Sequence, residues 1–226
     1  MIRKMFNFYL QFTKIYKRKN LGTLVKSASE IEMLVDNSFP LKQKMIQLRD
    51  AISAVKLSPN GENELVEALF RGLGADVYFP RKGDNSERFD ALIDFANYKA
   101  VAEIEIPSTE ILDAPRNLLD DYAVLKCRKK DNDEEIVPLV ICWDLPNKRT
   151  DYWNVITDVK NILGLKIKTI SILALALHYW TNTPINLQND DYYLEYANCT
   201  MHNAGEMLLN AGLSIEDYPG YFAPFK

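Results

Sequence analysis

The clearest pattern along the chain is an alternation of apolar and polar positions from Arg88 to Pro107, R-F-D-A-L-I-D-F-A-N-Y-K-A-V-A-E-I-E-I-P. Period two marks strands whose successive side chains point to opposite faces. The segment Ala96-Asn97-Tyr98-Lys99 supplies the turn between two of them. On the first strand Phe89, Ala91, Ile93 and Phe95 share a face and leave Asp90 and Asp94 on the other. On the second, Ala100, Ala102, Ile104 and Ile106 share a face, so Val101, Glu103 and Glu105 point the opposite way.

Helical spacing surrounds this hairpin. Residues 26–37 and 40–57 read as helices, the second with Ser38 as a cap, Pro40 in its first turn and Leu41, Met45, Leu48, Ile52 and Val55 on one stripe. Ser58-Pro59-Asn60-Gly61 breaks that helix, and Asn60 caps a new one that carries Leu65, Val66, Leu69 and Leu73 inward until Gly72 and Gly74. Ala75 to Pro80 reads as a strand, followed by a polar loop from Arg81 to Arg88 of the kind that lies over a site. After the hairpin, the hydroxyl of Ser108 or Thr109 is placed to cap a helix over 110–129 with Ile111, Leu118, Leu119, Tyr122 and Leu125 facing the core. Ile136 to Trp143 is a nearly continuous apolar strand, Tyr152 to Leu163 a helix, and a further strand lies within Lys166 to Tyr179. A last helix runs from Met201 to Ala211.

The order is helix, three strands, helix, strand, helix, strand. A helix that crosses between strands predicts an α/β fold with a mixed sheet flanked by helices. Three stretches result: a basic helical segment over 1–57, an α/β core over 58–182 and an acidic extension over 183–226 that packs on the core.

Composition narrows the class. A hydrophobic fraction of 47% in 226 residues is enough for one substantial core and excludes a disordered chain. Cys127, Cys142 and Cys199 are odd in number and widely separated, which suits a reducing compartment better than a disulfide framework. The start lacks the pattern of a signal peptide, and the longest apolar run, Ile170 to Trp180, is too short for a bilayer. These features lead to the expectation of a cytoplasmic protein without a membrane partner.

The net charge of −4 hides an asymmetry. Arg3, Lys4, Lys14, Lys17, Arg18, Lys19 and Lys26 precede the first acid, Glu30, and Phe6, Phe8, Tyr9, Phe12 and Tyr16 lie among them. Such an arm can neutralise phosphates and stack on bases, or it can be an amphipathic helix that docks its aromatics on the body or a second subunit.

The carboxylates of the hairpin raise the chemical question. Acids on one face of adjoining strands repel one another unless protons or a cation compensate. A wet edge protected by charge is one explanation. A divalent metal site is the other, since hard cations take carboxylate and carbonyl oxygens held on rigid strands. Glu62, early in the helix after Asn60, points toward that helix's apolar stripe, although the helix dipole alone accounts for many acids in a first turn. His178 and His202 lie far apart in the last quarter and read as structural rather than catalytic residues, and no phosphate-binding glycine loop or serine elbow is present.

Taken together, an inward Glu62 on a helix, Asp90 at the start of a second strand and Glu103-Ile104-Glu105 on a third resemble the PD-(D/E)XK nuclease superfamily over roughly residues 59–143. That superfamily includes type II restriction endonucleases, archaeal Holliday-junction resolvases and related viral nucleases. The resemblance implies a restriction endonuclease-like αβββαβ core and a metal-dependent DNA endonuclease that cuts branched or duplex DNA as a homodimer. It implies Asp90, Glu103 and the carbonyl of Ile104 as ligands of Mg²⁺ or Mn²⁺, with Glu62 holding a water or second ion. Glu105 occupies the position where the superfamily usually has Lys, an E-x-E variant seen in some restriction endonucleases. Activation of the attacking water would then fall on a metal-bound hydroxide or on Glu105 as base, and Lys82 or Lys99 would supply positive charge. Lys14, Lys17, Arg18, Lys19, Arg81, Lys82 and Arg88 are the expected contacts to DNA. The departure at Glu105 leaves open an inactive nuclease fold that binds DNA, and the overall acidity leaves open an interaction protein without nucleic acid.

Overall fold

The computed structural model describes residues 40–52, 61–81, 88–128 and 135–225. Helix α1 covers Leu41–Ala51, α2 Gly61–Gly72, α3 Ala114–Arg128, α4 Tyr152–Leu163, α5 Ile172–Thr181 and α6 His202–Asn210. Strands are β1 Asp76–Tyr78, β2 Ala91–Asp94, β3 Lys99–Glu105, β4 Ile136–Cys142 and β5 Lys168–Ser171. They form one sheet in the order β1-β2-β3-β4-β5. The β1/β2 and β2/β3 pairs are antiparallel, whereas β3/β4 and β4/β5 are parallel, so the fold is α/β with a mixed sheet flanked by helices.

Helices cover both faces. Helix α3 packs on β3 and β4 and touches α4, while α2 packs on β1 and α5. The ring of Phe70 on α2 meets Phe95 edge-on at 6.1 Å, which places α2 over the Ile93 side of the hairpin. Because β4 lies in the interior of this three-layer arrangement, all of Ile136–Cys142 is buried, as its unbroken apolar sequence requires. Tyr152 and Trp153, the first residues of α4, are fully buried, and the Tyr152 hydroxyl shares a 2.7 Å hydrogen bond with Thr169 on β5.

The hairpin pattern holds in the structure. Phe89, Ala91 and Ile93 are buried while Asp90 and Asp94 are exposed, and the turn is closed by Phe95 N–H donating to the Tyr98 carbonyl. Helix α1 begins one residue after Pro40, which takes the cap position, and buries Met45, Leu48 and Ile52. Val55, Ser38, Asn60 and the helix expected over 26–37 lie outside the described residues.

Two elements differ from expectation. The strand expected within 166–179 is β5, but it is short and ends at Ser171, whose hydroxyl accepts the N–H of Ala174 and starts α5 directly, so the rest of that stretch is helix. A continuous apolar run fits a buried strand and a buried helix equally, and the capping serine is the deciding residue. His178 accordingly sits on a helix, 2% exposed, between the Thr183 carbonyl at 3.1 Å and the Tyr192 hydroxyl. Helix α3 also starts at Ala114 rather than near residue 110. Neither Ser108 nor Thr109 caps it: the Ser108 hydroxyl donates to the Asp144 carbonyl at 3.0 Å and accepts the Trp143 N–H, tying the end of β3 to the end of β4.

Helices α2 and α5 cross in close contact where Gly72 faces Tyr179. A methyl group on Gly72 would lie 2.1 Å from a carbon of that ring. Gly72→Ala is therefore expected to lower stability by about 1–3 kcal/mol through overpacking, read from urea or guanidinium denaturation. An unchanged midpoint would show that the two helices separate freely.

The segment after α5 is integrated into the same core. Thr169 donates its N–H to the Tyr192 carbonyl, Leu145 to that of Gly220 and Met201 to that of Phe222. Leu187, Tyr192, Leu194, Leu208, Tyr218 and Phe222 are buried in one cluster with the sheet residues. No described helix is long and apolar enough to cross a membrane.

Candidate carboxylate site

The pairing of β2 with β3 sets the site. Ala91 lies opposite Ala102 and Ile93 opposite Ala100, and one more step of that register puts Asp90 opposite Glu103. Beyond Ala91 the ladder stops and a side chain takes over: the Ile104 N–H donates to Asp90 Oδ2 at 2.8 Å. Lys99 N–H and the Glu105 carbonyl both engage the β4 side, through Glu135 and Trp143. Period-two alternation then sends the carbonyl of Ile104, like its N–H, toward the β2 side where Asp90 lies.

Glu103 is the electrostatic centre of the site. Its carboxyl is pushed up to about 8, first by burial and then by the charge of Asp90, with Asp121 and Glu105 adding to it. The Asn117 amide opposes this by donating to Glu103 Oε1 at 3.3 Å. Asp90 keeps an open edge, yet desolvation raises its carboxyl above the ordinary range. The Ile104 N–H eases that shift and Glu62 reinforces it. Glu62 thus stands on α2, half-buried, within electrostatic reach of Asp90. Glu105 is 9% exposed, and its carboxyl is also raised by burial, eased by the Glu110 N–H that its Oε2 accepts at 3.2 Å.

The four acids named from the sequence are therefore electrostatic neighbours at one end of the hairpin. Among the described residues, none of them forms an ion pair with lysine or arginine. Nor, among those residues, are three acid, histidine or cysteine side chains gathered closely enough to hold an ion as they stand. Carboxylates without a counter-charge repel, and rotation of the long glutamate side chains is the motion that would bring their oxygens together.

No family model matches this chain. No curated protein matches it either.

The expected cations are placed differently from the acids. Lys99 pairs with Asp94 at 3.4 Å at the start of β3, roughly 20 Å along the strand from Glu105 at about 3.3 Å per residue, and so does not serve the acids. Arg88 bridges Asp120 on α3 at 3.0 Å, with both side chains more than half exposed. That pair is a weak surface contact that a phosphate can displace. Arg81 is exposed, and Lys14, Lys17, Arg18, Lys19 and Lys82 lie outside the described residues.

Two residues of α3 belong to the site although the sequence did not single them out. Asn117 holds Glu103, and Asp121, one helical turn later, is 6% exposed and raises the carboxyl of Glu103. A signal for Asp121 was present: Ala114, Leu118, Asp121 and Leu125 recur at the spacing of an apolar stripe, with a charge in its middle.

The donors fit a hard divalent cation. They are oxygens only, they carry excess negative charge, and the strain on Glu103 is of the kind that bound Mg²⁺ or Mn²⁺ relieves. Asp90, Glu103 and the Ile104 carbonyl would hold it, with Glu62 nearby.

Proposed function

We propose that the chain is a metal-dependent DNA endonuclease of the restriction endonuclease-like class, hydrolysing phosphodiester bonds in branched or duplex DNA. The observation that carries this reading is the junction of β2 and β3, where Asp90 takes the Ile104 N–H beside a Glu103 carboxyl pushed up to about 8 by burial and then by the charge of its acidic neighbours. A protein that buries such repulsion at the end of a rigid hairpin spends stability that binding of a cation returns.

The residues divide the work. Asp90 and Glu103 would hold the cation at the strand ends, and the Ile104 N–H orients the Asp90 carboxylate and eases the upward shift that burial imposes on it. Asn117 donates to Glu103 Oε1 and so supports its carboxylate from α3. The bound Mg²⁺ or Mn²⁺ would supply acidification of water and stabilisation of charge on the phosphate. Release of Arg88 from Asp120 gives a side chain to a phosphate at the edge of the site. Glu105 would take the proton of the attacking water in place of the usual lysine.

The test is cleavage of a panel of junction, flap and duplex DNA by purified protein with Mg²⁺ or Mn²⁺. Strand cutting that needs the cation and leaves a 5′-phosphate supports the reading; no cutting of any member, with Mn²⁺ binding absent, overturns it.

A second reading, a DNA-binding protein on an inert nuclease fold, is favoured by one contact. Glu105 is engaged with the Glu110 N–H and so is partly committed to shaping the turn before α3. Salt-sensitive DNA binding without cleavage would select it.

A further inference from the structure

Asp121 is a buried acid that forms no hydrogen bond or close ion pair among the described residues, although the charge of Arg88 eases the upward shift that burial imposes on its carboxyl. It lies on α3 with 6% of its surface exposed, between Leu118, which is fully buried, and the half-buried Leu125. Among the described residues, no N–H, hydroxyl or cationic group donates to its carboxylate, and the nearby Arg88 bridges the adjacent Asp120 instead. Burial alone makes such a carboxylate costly. Leucine or asparagine in the same stripe would avoid the cost, so its chemistry requires another explanation.

The helix directs it at the candidate site. Asn117 and Asp121 stand four residues apart and so share one face of α3, and Asn117 on that face bonds Glu103. The charge of Asp121 is felt by Glu103, and that of Asp90 by Asp121. Asp121 therefore lies beside the two acids that the hairpin brings together, and it comes from the layer that covers them.

We propose that Asp121 is a direct ligand of the divalent cation, delivered from α3 to the ion held by Asp90 and Glu103. This rests on the metal-dependent reading given above and extends it to a residue outside the hairpin motif. The ligand set then draws on both the sheet and its covering helix, so cation binding clamps α3 onto β3.

The experiment titrates Mn²⁺ into the full chain without DNA, by calorimetry and by loss of the free-ion electron paramagnetic resonance signal. Asp121→Asn keeps shape and removes charge; the expected result is a loss of affinity of about 10–100-fold. Asp120→Asn, which removes the neighbouring exposed charge, is expected to change affinity by no more than about 3-fold, since exposed charges are screened. Tb³⁺ luminescence lifetimes in H₂O and D₂O count the waters on the bound ion, and Asp121→Asn is expected to add about one. Asp121→Ser gives the same readouts if the asparagine variant does not fold. Wild-type affinity and an unchanged water count in the variants, with binding still lost in Asp90→Asn, would overturn this assignment and leave the metal-dependent reading standing. Lower affinity with an unchanged water count would also overturn it, because Asp121 would then act only through Glu103. No Mn²⁺ binding by the wild-type chain would overturn both.

Discussion

Asp90→Asn is expected to lower cation-dependent DNA cleavage by about 1,000-fold or more while leaving the fold intact. The expectation separates two jobs of one side chain. The asparagine oxygen still accepts the Ile104 N–H that closes the end of the hairpin, so the backbone geometry survives. What disappears is the negative charge that would hold the cation in the proposed function, and with it several kcal/mol of stabilisation at the phosphate; about 4 kcal/mol corresponds to three decades in rate. The measurement is single-turnover cutting of the best substrate, alongside the denaturation midpoint without metal. Asp90→Ala, which also strips the N–H of its acceptor, should lose activity equally and about 1–3 kcal/mol of stability besides. Cutting that survives in both variants would remove Asp90 from the chemistry.

Glu103→Gln is expected to do something less common: to stabilise the metal-free protein and destroy its affinity for Mn²⁺. The sign follows from the direction of the shift. The folded chain holds the Glu103 proton up to about pH 8, whereas the unfolded chain releases it near the ordinary 4.5. Between those values the native state binds more protons, so this group's contribution is fully present below pH 4.5 and is lost as pH rises through about 8. Above that point the wild type carries the full repulsion among Glu103, Asp90, Asp121 and Glu105. The glutamine variant does not, and its advantage there should be on the order of 1–3 kcal/mol once solvent screening is allowed for. Guanidinium denaturation at pH 5 and pH 9 in chelator reads it directly. Added Mn²⁺ should then stabilise only the wild type. A variant less stable than wild type at pH 9 would mean that the acids are compensated by something other than a cation.

How much of this could be read from the amino acids depends on where the information lies. The hairpin was legible because Phe89, Ala91 and Ile93 alternate with Asp90, Leu92 and Asp94, and one face had to be buried. Its register was set by a turn tighter than the sequence suggested, centred on Ala96-Asn97 with Lys99 already in the strand, and that register places Asp90 across from Glu103. The join of β5 to α5 was not legible, since Ile170 through Leu177 is buried whether extended or helical. Only the Ser171 hydroxyl distinguishes the two. Asn117 was hidden for a different reason. Exposed on its helix it reads as solvated, whereas Asp121 interrupts an apolar stripe, and knowing that α3 lies over β3 is what relates both residues to Glu103. The positions of Lys99 and Arg88 likewise depended on partners, Asp94 and Asp120, that no spacing rule connects to them.

The bonds from Thr169 to Tyr192, from Leu145 to Gly220 and from Met201 to Phe222 have a practical bearing on any shortened version of the chain. Lys168, 3% exposed on the outermost strand, finds its oxygens at Asn189 and Asp190. A cut near residue 183 would take both oxygens from that ammonium and leave a raw strand margin open to self-association. What the composition presents as an acidic tail is the lid on the sheet's last strand, and a minimal folded unit should have to keep it.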